Sequence, residues 1–275
     1  MNLPALTDAT LEIDGRVALL TFARHDVRNA LTGTALVDDI VATIEWANRN
    51  PAVSVLVMTG AGSAFSAGGN IKEMAEREGR HRGGAFGGSV FEVQQKYREG
   101  IQRMPLAMES AELPVIAAIN GPAIGAGFDL SCMCDIRLGC ENTLLGETFI
   151  NLGIIPGDGG AWFLQRLIGF QRAAELTLTG RLVKAQEALE LGILLEVVEA
   201  DQLLPRALEL ARTMAEKPPQ ALRMTKRLLK VAQRQPLADF LGLCASFQGM
   251  CHNTEDHLEA VNAFLEKRPG HYRGR

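Results

Sequence analysis

The sequence predicts an α/β fold with parallel strands, followed by a purely helical C-terminal stretch. Three observations carry this expectation. Nearly continuous apolar runs, Val53–Met58 and Pro114–Ile119, have the composition of strands buried on both faces. Amphipathic stretches and Gly-rich loops alternate with them, the pattern of strand–helix units. Beyond Asp201 the strand signals stop.

Along the chain, Thr10–Ile13 and Val17–Phe22 read as two strands joined at Asp14-Gly15, a type I′ hairpin signal. Leu36, Val37, Ile40, Val41 and Ile44 share one helical face. The run Val53–Met58 ends at Thr59-Gly60-Ala61-Gly62. A second round follows: Val90–Glu109 largely helical, Pro114–Ile119 a strand, Gly121–Gly127 a Gly-rich loop, a helix from about Phe128, and a strand near Asp135–Leu138. A third runs through Trp162–Ile168, Ala185–Leu191 and Leu194–Val198. Helices over Leu203–Lys217, Pro219–Gln233 and Glu255–Lys267 complete the chain. The expected division is a core over residues 1–200 and a helical region over residues 201–275. The segment Glu78–Ser89, with five glycines, reads as a surface loop or as a lid over a pocket.

Length and composition narrow the function classes. The 275 residues suffice for one large domain with a substantial core. A net charge of −4 gives no support to a nucleic-acid surface. No run approaches the ~20 apolar residues of a membrane helix. The N-terminus lacks the basic start and apolar run of a signal peptide, and the C-terminal His271-Tyr272-Arg273-Gly274-Arg275 is not a peroxisomal tripeptide. Cys132, Cys134, Cys140, Cys244 and Cys251 form no disulfide framework, and Cys132-Met133-Cys134 lacks metal-site spacing. They are expected to be buried, reduced residues of a cytoplasmic protein without a metal.

Two Gly-rich loops each follow an apolar strand and open a helix: Gly60–Met74 and Gly121–Asp129. Neither is G-x-G-x-x-G nor a P-loop, so nucleotide binding has little support. Such loops serve either tight packing or close approach of free backbone N–H groups to a ligand, helped by the positive end of a helix.

The motifs within these loops identify a resemblance. Ala64-Phe65-Ser66-Ala67-Gly68-Gly69-Asn70-Ile71-Lys72-Glu73-Met74 closely resembles the A-F-x-A-G-A-D-I-K-E-M signature of the crotonase superfamily. The second loop with Leu130 and Cys134-Asp135-Ile136, Arg24 with Asn29-Ala30-Leu31, Gly153–Gly160, and Ala263–Arg268 resemble further segments of that family, in order. The resemblance implies a crotonase-like spiral of ββα units with a helical C-terminal trimerisation region, giving trimers or dimers of trimers. It implies an acyl-CoA thioester as substrate, with no cofactor beyond the coenzyme A that the substrate itself carries, and no nucleic acid or membrane partner. By position, the N–H groups of Gly69 and Ala126 are the oxyanion donors. Ala64, Ala67 and Ile71 would line the coenzyme A site, and Arg24 and Lys267 would meet its phosphates, Lys267 from a neighbouring subunit.

The acid/base positions depart from the hydratase pattern of two glutamates. Asp129 stands at the first and Phe149 at the second. Glu147 and Asp158 are the nearby carboxylates that can substitute; alternatively Glu147 forms a structural pair and Asp158 caps the helix near Ala161. Three functions are compatible: hydration of a 2-enoyl-CoA, double-bond isomerisation or another single-carboxylate reaction, and acyl-CoA binding without turnover. Phe91, Val93 and Tyr97 are candidates for acyl specificity.

Overall fold

A computed structural model of the chain describes residues 2–71 and 87–275. The first motif beyond Ile71 and residues 78–86 of the Gly-rich segment lie outside the described residues. A hairpin opens the fold, β1 (Ala9–Asp14) and β2 (Val17–Phe22). Only Gly15 in its two-residue loop has positive φ, 58°. A type I′ turn needs both loop residues there, so the loop is not of the expected type. Helix α1 (Leu36–Arg49) then leads to β3 (Val55–Gly60). The long helix expected over Val90–Glu109 is two, α2 (Val90–Glu99) and α3 (Arg103–Ser110), broken at Gly100. The second round is β4 (Val115–Ile119), β5 (Pro122–Ile124) and α4 (Ala126–Met133). The third is β6 (Ile136–Cys140), β7 (Leu144–Gly146), a 3-10 turn over Thr148–Leu152, α5 (Gly160–Ile168) and α6 (Phe170–Thr179). Then come β8 (Leu182–Lys184), α7 (Ala185–Glu190) and β9 (Glu196–Val198). Four helices close the chain: α8 (Leu203–Ala215), α9 (Pro219–Ala232), α10 (Leu237–His252) and α11 (Glu255–Glu266).

The strands form two sheets. The larger has the order β1-β2-β3-β4-β6-β9, parallel after the first pair; the smaller is β5-β7-β8. Each turn of the chain sends one strand to each sheet: β4 then β5, β6 then β7. In the first turn a bridge at Ser66, paired in parallel with Ala123, takes the place of a full small-sheet strand. This winding sets the two Gly-rich loops side by side.

The main core lies between the sheets and α1, α3, α4 and α5, around Phe22, Phe65, Phe128, Met104 and Met108. A second apolar layer joins the outer face of the large sheet to Leu203, Ala207 and Ala211 of α8. Buried polar groups clamp α9 on top. Arg223 donates to the carbonyls of Ala47 (2.9 Å), Asn48 (3.3 Å), Asn50 (3.1 Å) and Val53 (3.2 Å), closing the end of α1. Lys226 donates to the Leu113 carbonyl and pairs with Asp135 at 2.6 Å. No helix among the described residues is long and apolar enough to cross a membrane. All five cysteines are free, but Cys244 and Cys251 are only half-buried, because Phe247 is the one side chain that α10 buries.

Arg223→Ala removes a donor from each of these carbonyls; those of Ala47 and Asn50 keep a backbone N–H at 3.2 Å, from Asn50 and Val53, while those of Asn48 and Val53 are orphaned, at roughly 1–3 kcal/mol each. Urea denaturation should show a loss of at least about 2 kcal/mol, with the far-ultraviolet spectrum of the native state retained.

Candidate active site

The site grows from the contact between the two Gly-rich loops. Gly68, with φ +74°, lies so close to the second loop that an added methyl would overlap the Ile124 carbonyl and stand 2.9 Å from the Ala126 nitrogen. Only a residue without Cβ allows this approach. Asn29, buried and itself at φ 54°, holds the first loop from behind. Its Nδ2 donates to the carbonyls of Ala61 (3.0 Å) and Ala64 (2.9 Å), and its carbonyl accepts from Ser66 Oγ at 2.7 Å.

These bonds engage the amides flanking position 69 but not that amide itself. Gly68 N–H donates to Ser66 Oγ (3.2 Å), and Asn70 N–H donates to Thr32 Oγ1 (2.7 Å). In the second loop Gly125 N–H donates to the Gly146 carbonyl at 2.8 Å. The next residue, Ala126, is the first of α4, so its N–H has no helical partner. Among the described residues no acceptor takes the N–H of Gly69 or of Ala126. Gly125, at φ 53° and ψ −124°, is the hinge that aims the Ala126 amide. A methyl at Gly125 would stand 3.6 Å from the Phe149 ring, so Phe149 forms an apolar wall there.

Asp129 follows Ala126 by three residues on the same helix, hence on the same face and about 4.5 Å further along the axis. Its carboxylate rests against the Cα of Gly160, the first residue of α5, which only glycine permits. Glu147, just after β7, and Asp158, just before α5, reach the same point. Asp129 is within hydrogen-bonding reach of both. All three are buried, at 0%, 1% and 3% exposure, and none of their six carboxyl oxygens has a side-chain donor among the described residues. Three carboxylates cannot donate to one another, so the cluster makes internal hydrogen bonds only when it holds protons. Burial, then the charge of Asp158 and the bond to Glu147, hold the Asp129 carboxyl well above the ordinary range. Burial pushes Glu147 up to about 7, against the bond from Asp129, and burial likewise raises Asp158.

Glu147 and Asp158, expected as alternative substitutes for the missing glutamate, both belong to the cluster. Asp158 is not the helix cap, because Gly159 holds that position and no side chain caps α5. Among the described residues no partner of opposite charge makes Glu147 a structural ion pair. The residues expected around coenzyme A are more scattered. Ala64 is buried, Ala67 half-buried and Ile71 exposed. Arg24 is already paired with Asp26 (2.9 Å) and Asp8 (3.3 Å). Lys267 ends α11 at φ 54° and is exposed. Of the specificity candidates, Phe91 is exposed, Val93 half-buried, and Tyr97 packs on Gly157 beside Asp158. Tyr97 also lines a cavity of about 570 Å³ with Leu31, Thr32, Val37 and Ile101. That cavity borders the first loop, since Leu31 N–H donates to the Gly68 carbonyl at 2.7 Å. The sequence motifs contain Asn29 and Ser66 without assigning them a supporting role, and do not include Thr32; an asparagine tolerant of left-handed backbone beside a Gly-rich loop is the available signal.

Each carboxyl raised above its unfolded value leaves the folded state holding more protons, so stability falls as pH rises through that window. For Glu147 the window runs from 4.5 to about 7. Thermal melts across it should show Tm falling with pH, and falling less in Glu147→Gln. A pH-independent difference between the two proteins would contradict the shift.

Comparison with known proteins agrees with this geometry. The sequence profile described as enoyl-CoA hydratase/isomerase matches residues 12–275. The short-chain-enoyl-CoA hydratase of Clostridium acetobutylicum is 35% identical over 96% of this chain and 96% of its own length. The 2,3-dehydroadipyl-CoA hydratase of Escherichia coli is 34% identical over 94% of this chain and 96% of its own. The crystal structure of an enoyl-CoA hydratase from Bacillus anthracis superposes with a TM-score of 0.89, at 34% identity, covering 98% of this chain and 100% of that one.

Proposed function

The chain belongs to the enoyl-CoA hydratase/isomerase family, and from that premise we propose that it adds water across the C2–C3 double bond of a 2-enoyl-CoA. One juxtaposition carries the reading: two unengaged amides lie beside a buried cluster that holds both a proton donor and a base. The Gly69 and Ala126 N–H groups receive the thioester oxygen as negative charge builds on it. Losing one donor of this kind costs roughly 3–4 kcal/mol of transition-state stabilisation. Ionised Glu147 removes a proton from water as its oxygen joins C3, and neutral Asp129 gives its proton to C2. Glu147 and Asp129 then exchange a proton through their own hydrogen bond, which returns the site to its starting state.

Phe149 and the cavity beside Tyr97 give the acyl group an apolar wall and room to extend. Coenzyme A runs past the first loop, where Ala67 and Ile71 are accessible. Leu237, Leu241, Met250, Leu258, Val261 and Phe264 of α10 and α11 are exposed. Exposed apolar side chains gathered on two consecutive helices are what an interface leaves uncovered in a single chain, and in our reading further copies of the chain cover them in a trimer, bringing Lys267 to a neighbour's phosphates.

Purified protein should hydrate crotonyl-CoA, followed as loss of the enoyl thioester absorbance. Asp129→Asn should lower kcat by about 10²–10⁴-fold while CoA-ester affinity stays nearly unchanged. Exchange of the C2 proton with deuterated solvent without hydration would assign the site to isomerisation. Unchanged rates in Asp129→Asn would remove Asp129 from the mechanism.

A further inference from the structure

The hydration reading uses two carboxyl groups, yet the cluster contains three. Asp158 has no role in that scheme and is not the cap of α5; among the described residues no side chain donates to it, and the backbone N–H groups of Asp158 and Gly160 are the donors acting on its carboxylate. The residue before it is pinned from outside: Tyr97 of α2 packs on Gly157, and Gln102, between α2 and α3, donates from Nε2 to the Gly157 carbonyl at 2.8 Å. A buried charge with no cation is destabilising and persists only where something else fixes it.

Among the described residues the surroundings are otherwise uncharged. The groups acting on Asp129 are Glu147, from the segment after β7, and Asp158, from the segment before α5. Helix α3, which also packs on α4, buries Met104 and Met108, while its Arg103 and Glu109 pair with Asp38 and Lys230. Arg137, the cation beside neighbouring Cys132, is bound to the carbonyls of Ile193 (2.8 Å), Ser131 (3.2 Å) and Cys134 (2.6 Å).

We propose that Asp158 is a positioning residue that keeps the Asp129 proton on Asp129, as a second acceptor available when Glu147 turns to the water molecule. The roles of Asp129 and Glu147 rest on the hydration reading; the location of the proton does not. With Asp158 ionised beside it, Asp129 cannot release its proton without placing two adjacent charges in a buried site, whether Glu147 is ionised or has taken the proton of the water. It therefore stays neutral until a carbanionic C2 takes the proton. During turnover Asp158 gains and loses none: one proton passes from Asp129 to C2, one from water to Glu147, and one back from Glu147 to Asp129.

Asp158→Asn removes the charge and keeps the size. Asp129 then ionises more readily, so the decline of kcat/KM with rising pH should begin about one pH unit lower or more, and Asp158→Glu should restore it. A structural role alone predicts a uniform loss of rate with the pH profile in place. The second readout needs no substrate. The infrared carbonyl band of neutral carboxyl groups, assigned by its loss in Asp129→Asn, should disappear at lower pH in Asp158→Asn than in the parent protein. If the band titrates identically in both, the proposal is overturned. If the band shifts as expected but crotonyl-CoA is not hydrated, the proton arrangement stands and the hydration reading falls. Thermal melts at high pH separate misfolding from relief of repulsion: Asp158→Asn should melt at or above the parent temperature.

Discussion

The site depends on how closely two loops touch. At Gly68 the first loop lies against the Ile124 carbonyl and the Ala126 nitrogen, with no room for a Cβ. The spiral brings the loops together, since β3 and β4 are adjacent parallel strands and Ser66 bridges Ala123. Asn29 and Ser66 then satisfy the neighbouring polar groups and leave the amides of Gly69 and Ala126 without an internal acceptor among the described residues. A helix start supplies the second free amide at no local cost, because its first N–H groups lack partners in any case.

The carboxyl cluster works against stability. Three acidic groups share a buried pocket without a cation among the described residues, and each is raised above its ordinary value mainly by burial. Folding would favour apolar replacements of similar size. What the arrangement provides is a division of protonation states: one carboxyl kept neutral and another ionising near neutral pH, as concerted proton donation and removal require. The closeness of Asp129 to Gly160 extends the constraint to α5, whose first residue must be glycine for the carboxylate to fit.

Much of this was legible in the sequence, and the gaps have physical causes. The buried strands Val55–Gly60 and Val115–Ile119 and the amphipathic α1 follow from local pattern. The three-residue strands β7 and β8 are too short to show alternation. Helix α10 is apolar on nearly every side, so it lacks a one-faced signal. Gly69, Ala126 and Asp129 were legible because two of them lie one helical turn apart and the loops carry family motifs. The meeting of Asp129 with both Glu147 and Asp158 was not, since no periodicity links three separate elements and only the tertiary winding unites them. The hairpin loop differed from expectation because the left-handed residue is Gly15 alone.

The central claim is that one thioester oxygen is held by two backbone amides. A crystal structure with a non-reacting acyl-CoA thioester tests it most directly. The account predicts the thioester oxygen about 3 Å from both the Gly69 and Ala126 nitrogens, with the acyl C2 facing Asp129. A thioester bound elsewhere, or those amides rotated onto internal carbonyls in the complex, would contradict it.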